Sequence, residues 1–193
     1  MITMNLFLLT GNQDKVRAAQ YVFDAYGITV SLLKPQESEI QAATSLEIAT
    51  YAAIKATQQS WYVVLREDHA LYFEGLLWGV FPGPYTSYFD KRVSAEEFVR
   101  CLYASHDDSS LVTWYFELGA CVAFPDGRII TSTHRVPIEV SRELRGERWN
   151  LDKILMIAWS GKTFAECALG ENTHHWTHNY TVLAEQLSWR PSL

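Results

Sequence analysis

The sequence predicts an α/β fold built on a mixed sheet. Short apolar runs alternate with helical spacings from Asn5 to Leu65, two longer strand-like runs occupy the middle, and a helical pattern closes the chain. Asn5 to Thr10 is a buried strand turned by Gly11-Asn12. Asp14 to Tyr26 carries Val16, Ala19, Val22, Phe23 and Tyr26 at helical spacing, and Gly27 stops that helix. Ile28 to Leu33 is a second strand, Ser45 to Gln58 an Ala-rich helix, and Trp61 to Leu65 a third strand ending at Arg66-Glu67-Asp68. This order makes the start of the sheet largely parallel. Further on, Ser94-Ala95-Glu96-Glu97 is a capping box for a helix to about Ala104. Leu111 to Phe124 and Arg128 to Val136 pair across the turn Pro125-Asp126-Gly127. A last helix is expected over Thr177 to Trp189, with Thr177 as N-cap and Tyr180, Leu183, Ala184 and Leu187 inward.

No repeat, low-complexity tract or linker breaks the chain, so residues 1–193 are expected to form a single domain. A chain of this size buries roughly 70% of its unfolded surface and folds without staples. The net charge of −6 argues against a nucleic-acid polymer as partner, which needs a dense basic face. Cys101, Cys121 and Cys167 are odd in number and far apart, which fits a reducing cytoplasm and excludes a disulfide framework. No apolar run approaches the ~20 residues of a membrane span, and Met1 to Thr10 lacks the basic flank of a signal peptide.

Three segments carry chemistry. Thr10-Gly11-Asn12-Gln13-Asp14-Lys15 lies where a strand gives way to a helix, where backbone N–H groups and the helix dipole favour an anion. Gly11 allows close approach of a phosphate, Thr10 and Asn12 offer hydrogen bonds, and Lys15 adds a charge. An ordinary tight turn with a solvated lysine fits the same residues. Glu67-Asp68 follows an apolar strand, and two carboxylates there suit a hard cation such as magnesium; a solvated turn beside Arg66 is the alternative. Glu39 and Lys55 are further candidates. Phe81-Pro82-Gly83-Pro84-Tyr85 is a stiff, nonhelical turn.

In this order and spacing the segments resemble the inosine triphosphate pyrophosphatase family. The matching pieces are T-G-N-x-x-K at Thr10 to Lys15, E-I-Q at Glu39 to Gln41, A-x-K-A around Lys55, E-D-x-x-L at Glu67 to Leu71, F-P-G-P-Y at Phe81 to Tyr85, and G-K-T-F-A-E at Gly161 to Glu166. They span nearly the whole chain. The resemblance implies an elongated mixed β-sheet flanked by helices, with two lobes and a cleft between them, in a homodimer. It also implies Mg2+-dependent cleavage of a purine nucleoside triphosphate to monophosphate and pyrophosphate. Carried over by position, Thr10, Gly11, Asn12 and Lys15 would hold the triphosphate with support from Lys55. Glu39, Glu67 and Asp68 would place the metal and the attacking water, Asp68 being the catalytic carboxylate.

The base-binding half departs from the family. Its F/W-G-Y/W-D-P-x-F segment stands here as Trp149-Asn150-Leu151-Asp152-Lys153-Ile154-Leu155, which keeps an aromatic for stacking and Asp152. The family's S-H-R appears as Thr177-His178-Asn179, and its nearby lysine aligns with Thr173. Two cationic donors are thus missing, with Lys153 and Arg148 as candidates to replace them. An arginine only donates and suits a 6-keto purine, whereas a carboxamide matches adenine's N7 and N6. Asn179 is therefore expected to relax or shift base preference toward 6-amino or N6-modified purines; an asparagine facing water at the helix start is the alternative. His69 stands where the family has a small hydroxyl residue, and contacts phosphate or tunes Asp68 on one reading and is structural on the other. His174, His175 and His178 lack the further ligands of a zinc site. A non-catalytic nucleotide-binding or scaffold protein on the same fold is the rival to the enzyme.

Overall fold

A computed structural model describes residues 4–35, 40–73, 81–105, 114–168, 171 and 173–189; Glu39 lies outside them. The first elements follow the apolar pattern closely. Strand β1 (Met4–Leu9) leads into helix α1 (Gln13–Asp24), and β2 (Ile28–Leu33) returns parallel to β1. Gly27 sits at φ +70°, a left-handed conformation natural to glycine, and its N–H bonds Asp24 O at 3.0 Å to close α1. Helix α2 (Ser45–Ser60) starts from a capping box between Thr44 and Glu47.

Strand β3 (Val64–Phe73) differs from expectation, because it runs straight through Arg66-Glu67-Asp68 and does not end there. Each charged side chain finds a partner, and buried Ala70, Leu71, Tyr72 and Phe73 continue the strand. After the two-residue β4 (Pro82–Gly83), α3 (Thr86–Asp90) and α4 (Ala95–Ser105) follow, then the long strands β5 (Trp114–Ala123) and β6 (Ile129–Val140). The β5–β6 turn is the anticipated one, with Gly127 at φ +89° and its N–H on Phe124 O at 3.0 Å. Strand β7 (Leu155–Ile157) runs antiparallel to β6, and α5 (Thr173–Ser188) is the last element. The strand order is β2-β1-β3-β5-β6-β7, with β4 on β3, so the sheet is mixed as expected.

Helix α5 begins four residues before the predicted Thr177, which is a buried interior residue and not the N-cap. The apolar spacing reaches back to Trp176, one turn before Tyr180, and Thr177 O accepts the Thr181 hydroxyl within the helix.

The chain divides into two compact units, each assembled from separated stretches. The first comprises Met1–Asp68, Leu118–His134 and Asn172–Leu193; the second comprises His69–Glu117 and Arg135–Glu171. In the first unit, Leu6 and Leu8 of β1, Ala19 and Phe23 of α1, Leu65, and Tyr180, Leu183 and Ala184 of α5 form one buried cluster. Helix α2 packs on β5: a Cβ on Gly119 would stand 2.4 Å from Leu46 N, so only glycine fits beneath the start of that helix. The second unit holds an aromatic core of Phe73, Phe81, Phe89, Phe98 and Trp114.

Candidate functional site

At the β1–α1 turn, buried Thr10 is tied to β2 by its N–H on Leu33 O at 3.0 Å. Its hydroxyl accepts the Asn12 N–H at 3.0 Å, and Asn12 caps α1 by accepting the Asp14 N–H at 2.8 Å. No heavy atom lies within 4 Å of where a Gly11 Cβ would be, so packing does not demand a glycine there. The turn delivers Lys15 to β3: its ammonium donates to Glu67 O at 3.2 Å and lies 3.8 Å from Glu67 Oε2.

Successive residues of a strand face opposite sides of the sheet. Glu67 shares the face of Leu65, which packs with α1 and α5, and is 2% exposed. There it accepts the Tyr180 hydroxyl at Oε2 over 2.7 Å. Asp68 shares the face of Arg66, whose guanidinium lies 3.7 Å from Asp68 Oδ1 and donates to Leu9 O at 3.0 Å. The doublet is therefore not a pair of neighbouring carboxylates at the lip of the sheet. It is one buried acid facing Lys15 and Tyr180, and one partly exposed acid beside an arginine.

Burial, the charge of Glu67 and the hydrogen bond to it all push the Tyr180 phenol well above its ordinary range. Tyr180 is thus a neutral O–H donor. Sequence reasoning placed it only as an inward-facing residue; the available signal was its hydroxyl, since a buried tyrosine needs a polar partner.

Asn179 is buried, which rules out the alternative of an asparagine facing water at the helix start. Its Nδ2 donates to Leu118 O at 2.8 Å, and its Oδ1 accepts the Ser132 hydroxyl at 2.8 Å. Both ends of the carboxamide are committed to the scaffold. Thr177 is buried beside it in sequence, while His178 is exposed and stacks on His134 at 4.1 Å. His174 and His175 lie 3.9 Å apart on the same helix. Desolvation, then the charges of His178 and His175, hold His134 below the usual imidazole range. Among the described residues, no group of three or more His, Cys, Asp or Glu side chains gathers as a metal cage.

Of the other candidates, Lys55 lies on α2 with its ammonium 5.8 Å from the Tyr51 ring centre, and His69 continues β3. In the second unit, Trp149 is exposed and donates its indole N–H to Asp90 at 2.6 Å. Asn150, at the family's glycine position, donates to Asp90 and Val93 and accepts the Ala95 N–H, which ties this segment to α3 and α4. Burial raises the Asp152 carboxyl above its usual range, with Arg148 opposing. Arg148 donates to Cys167 O at 3.0 Å. The G-K-T-F-A-E segment is structural in character: Thr163 is buried and bonds both Arg145 O and Glu166.

The class these features define is a mixed α/β protein with a lysine–carboxylate pair beneath a strand-to-helix turn. Residues 6–185 match the Ham1 family, and the chain belongs to that family. It is 28% identical to the dITP/XTP pyrophosphatase of Ignicoccus hospitalis, over 97% of this chain and 99% of that protein. It is 29% identical to the enzyme of the same name from Thermococcus kodakarensis, over 96% of this chain and 97% of that one. Among solved structures, the Staphylococcus aureus Ham1 protein matches with a TM-score of 0.74 at 18% identity, covering 95% of this chain and 97% of its own. A HAM1 protein from Coxiella burnetii gives 0.73 at 20% identity over 96% and 97%. Both support the fold.

Proposed function

We propose that this protein is a nucleoside triphosphate pyrophosphatase that uses magnesium to cleave a purine nucleoside triphosphate into monophosphate and pyrophosphate. The observation that carries this reading is the contact of Lys15 with Glu67, which sets an ammonium group from the β1–α1 turn beside the acidic doublet. The names of its full-length relatives point the same way. A polyphosphate chain suits the N-terminal end of α1, where helix dipole, backbone N–H groups and Lys15 combine; Thr10, Gly11, Asn12 and Lys55 belong to the same proposed subsite. Phosphoryl chemistry needs positioning and charge neutralisation more than covalent help. Asp68, the more open of the two acids, is assigned to the attacking water.

Magnesium seldom takes an all-protein cage; it keeps waters and binds one or two carboxylates together with substrate phosphates. Asp68 and Glu67 are hard oxygen donors of that kind and fit the ion, although they leave β3 on opposite faces. With Glu39 they form the proposed metal set. When bound, the ion supplies neutralisation of phosphate charge.

Trp149, Asp152, Thr177 and His178 remain the proposed nucleoside contacts, and His69 is proposed to contact phosphate or tune Asp68. The cations absent at Thr173 and Asn179 are the reason to expect a base preference moved from 6-keto toward 6-amino or N6-modified purines. With Asn179 bonded to Leu118 and Ser132, the expected change is a weakened preference for 6-keto bases and not a new bidentate contact to adenine. A homodimer acting in the cytoplasm completes the proposal.

The test is pyrophosphate release from dITP, XTP, dATP and N6-methyl-dATP, with and without magnesium. Turnover should require the ion and fall by ~10²–10⁴ in Asp68→Asn with circular dichroism unchanged. Wild-type rates in Asp68→Asn would remove that residue from the chemistry. A preference for dITP by orders of magnitude would overturn the base shift.

A further inference from the structure

We propose that Tyr180 is a positioning residue for the Lys15–Glu67 pair, an inference that rests on the pyrophosphatase reading above. Three elements meet at one carboxylate. Glu67 of β3 is 2% exposed, and its Oε2 receives the Tyr180 hydroxyl from α5 at 2.7 Å while the Lys15 ammonium from α1 lies 3.8 Å away. The same ammonium donates to the Glu67 carbonyl at 3.2 Å. The phenol bond to Oε2 is short, 2.7 Å against 3.8 Å for the ammonium, so the carboxylate's position follows the tyrosine more closely than the lysine. The phenol is itself fixed, because its ring packs near Phe23 at 6.1 Å and its neighbour Asn179 anchors α5 to Leu118 and Ser132. Tyr180 thereby orients Glu67, and Glu67 sets where the Lys15 ammonium is presented to an anionic substrate. Tyr180 acts through these two groups and does not itself touch the reacting atoms.

Tyr180→Phe keeps the ring and deletes only the donor, so the fold should persist, with a midpoint lowered by a few degrees. With Lys15 present, kcat/KM for pyrophosphate release should fall about tenfold, mainly through KM. In a Lys15→Met background, the same change should cost less than about twofold, because its route of action is gone. In a Glu67→Gln background it should also cost little, and that pair gives a second reading should Tyr180→Phe alone melt near the assay temperature. Wild-type kcat/KM in Tyr180→Phe, or an equal loss in every background, would overturn the proposal and leave the tyrosine a packing residue. Absence of pyrophosphate release by the wild-type protein itself would instead overturn the pyrophosphatase reading.

Discussion

Asn179, singled out in sequence for base preference, is also bound into the scaffold. Its amide closes two hydrogen bonds inside the first unit, to Leu118 O and from Ser132 Oγ. Asn179→Leu should leave a backbone carbonyl and a hydroxyl without their partner at a buried position, at a cost of about 1–3 kcal/mol for each group abandoned. A thermal melt reads this directly: at roughly 2–4 °C per kcal/mol for a chain of this length, the midpoint should drop by several degrees. An unchanged midpoint would mean that the two bonds contribute little. Glu67 carries the converse lesson. Adjacent acids in sequence suggested two neighbouring carboxylates at the lip of the sheet, but strand alternation sends them to opposite sides. The identity of the residues was visible, and their partners were not: Lys15 and Tyr180 lie 52 and 113 positions from Glu67.

Helix α2 depends on a glycine that belongs to another strand. The Gly119 Cα faces the backbone of Ser45 and Leu46, with no room for a methyl group. Gly119→Ala must push the start of α2 off β5, at a cost at or above the ~1–3 kcal/mol usual for overpacking. Hydrogen exchange should show loss of protection concentrated in the first turns of α2; uniform protection would contradict the tight approach. Nothing in the local sequence around Gly119 announces this, because the constraint is imposed from a distance. The elements themselves were largely legible, since local apolar spacing and caps decide them. Strands β1 and β2, helices α1 and α4, and the Pro125–Gly127 turn fall where patterning places them. Beside smaller shifts at the start of β3 and the end of β6, the misplaced end of β3 and start of α5 share a cause. The charged triplet of β3 and the His-rich start of α5 lack a local signature, and tertiary partners supply what the chain pattern does not.

At the scale of the molecule, the first unit draws on three stretches of chain and the second on two. The core of the first unit joins β1 near the start of the chain to α5 near residue 184. A chain ending at residue 171 would lose Tyr180, Leu183 and Ala184 from the cluster that joins α1 to the sheet. Each fully buried apolar side chain is worth about 1.5–3 kcal/mol, so this deletion removes a large part of a typical domain's margin. The fragment should be digested rapidly by a nonspecific protease under conditions where the full chain resists. Acid should weaken the same region. His134 is held below its ordinary range in the fold, so the unfolded chain binds the extra proton between the two values. Its contribution is present above about pH 6.5 and is lost as pH falls through the lower folded value. Melting midpoints taken from pH 7.5 down to 5 should decline, and His134→Phe should flatten part of that slope; an identical slope would locate the sensitivity elsewhere.

The interleaving of the two units also constrains how the protein is born. A ribosome has translated β1 through α2 long before it reaches Tyr180, so the apolar side of the first strands must wait uncovered until the closing helix emerges. Folding of the first unit consequently waits for the emergence of α5, and its nascent form is a natural client for chaperones that shield exposed hydrophobic surface.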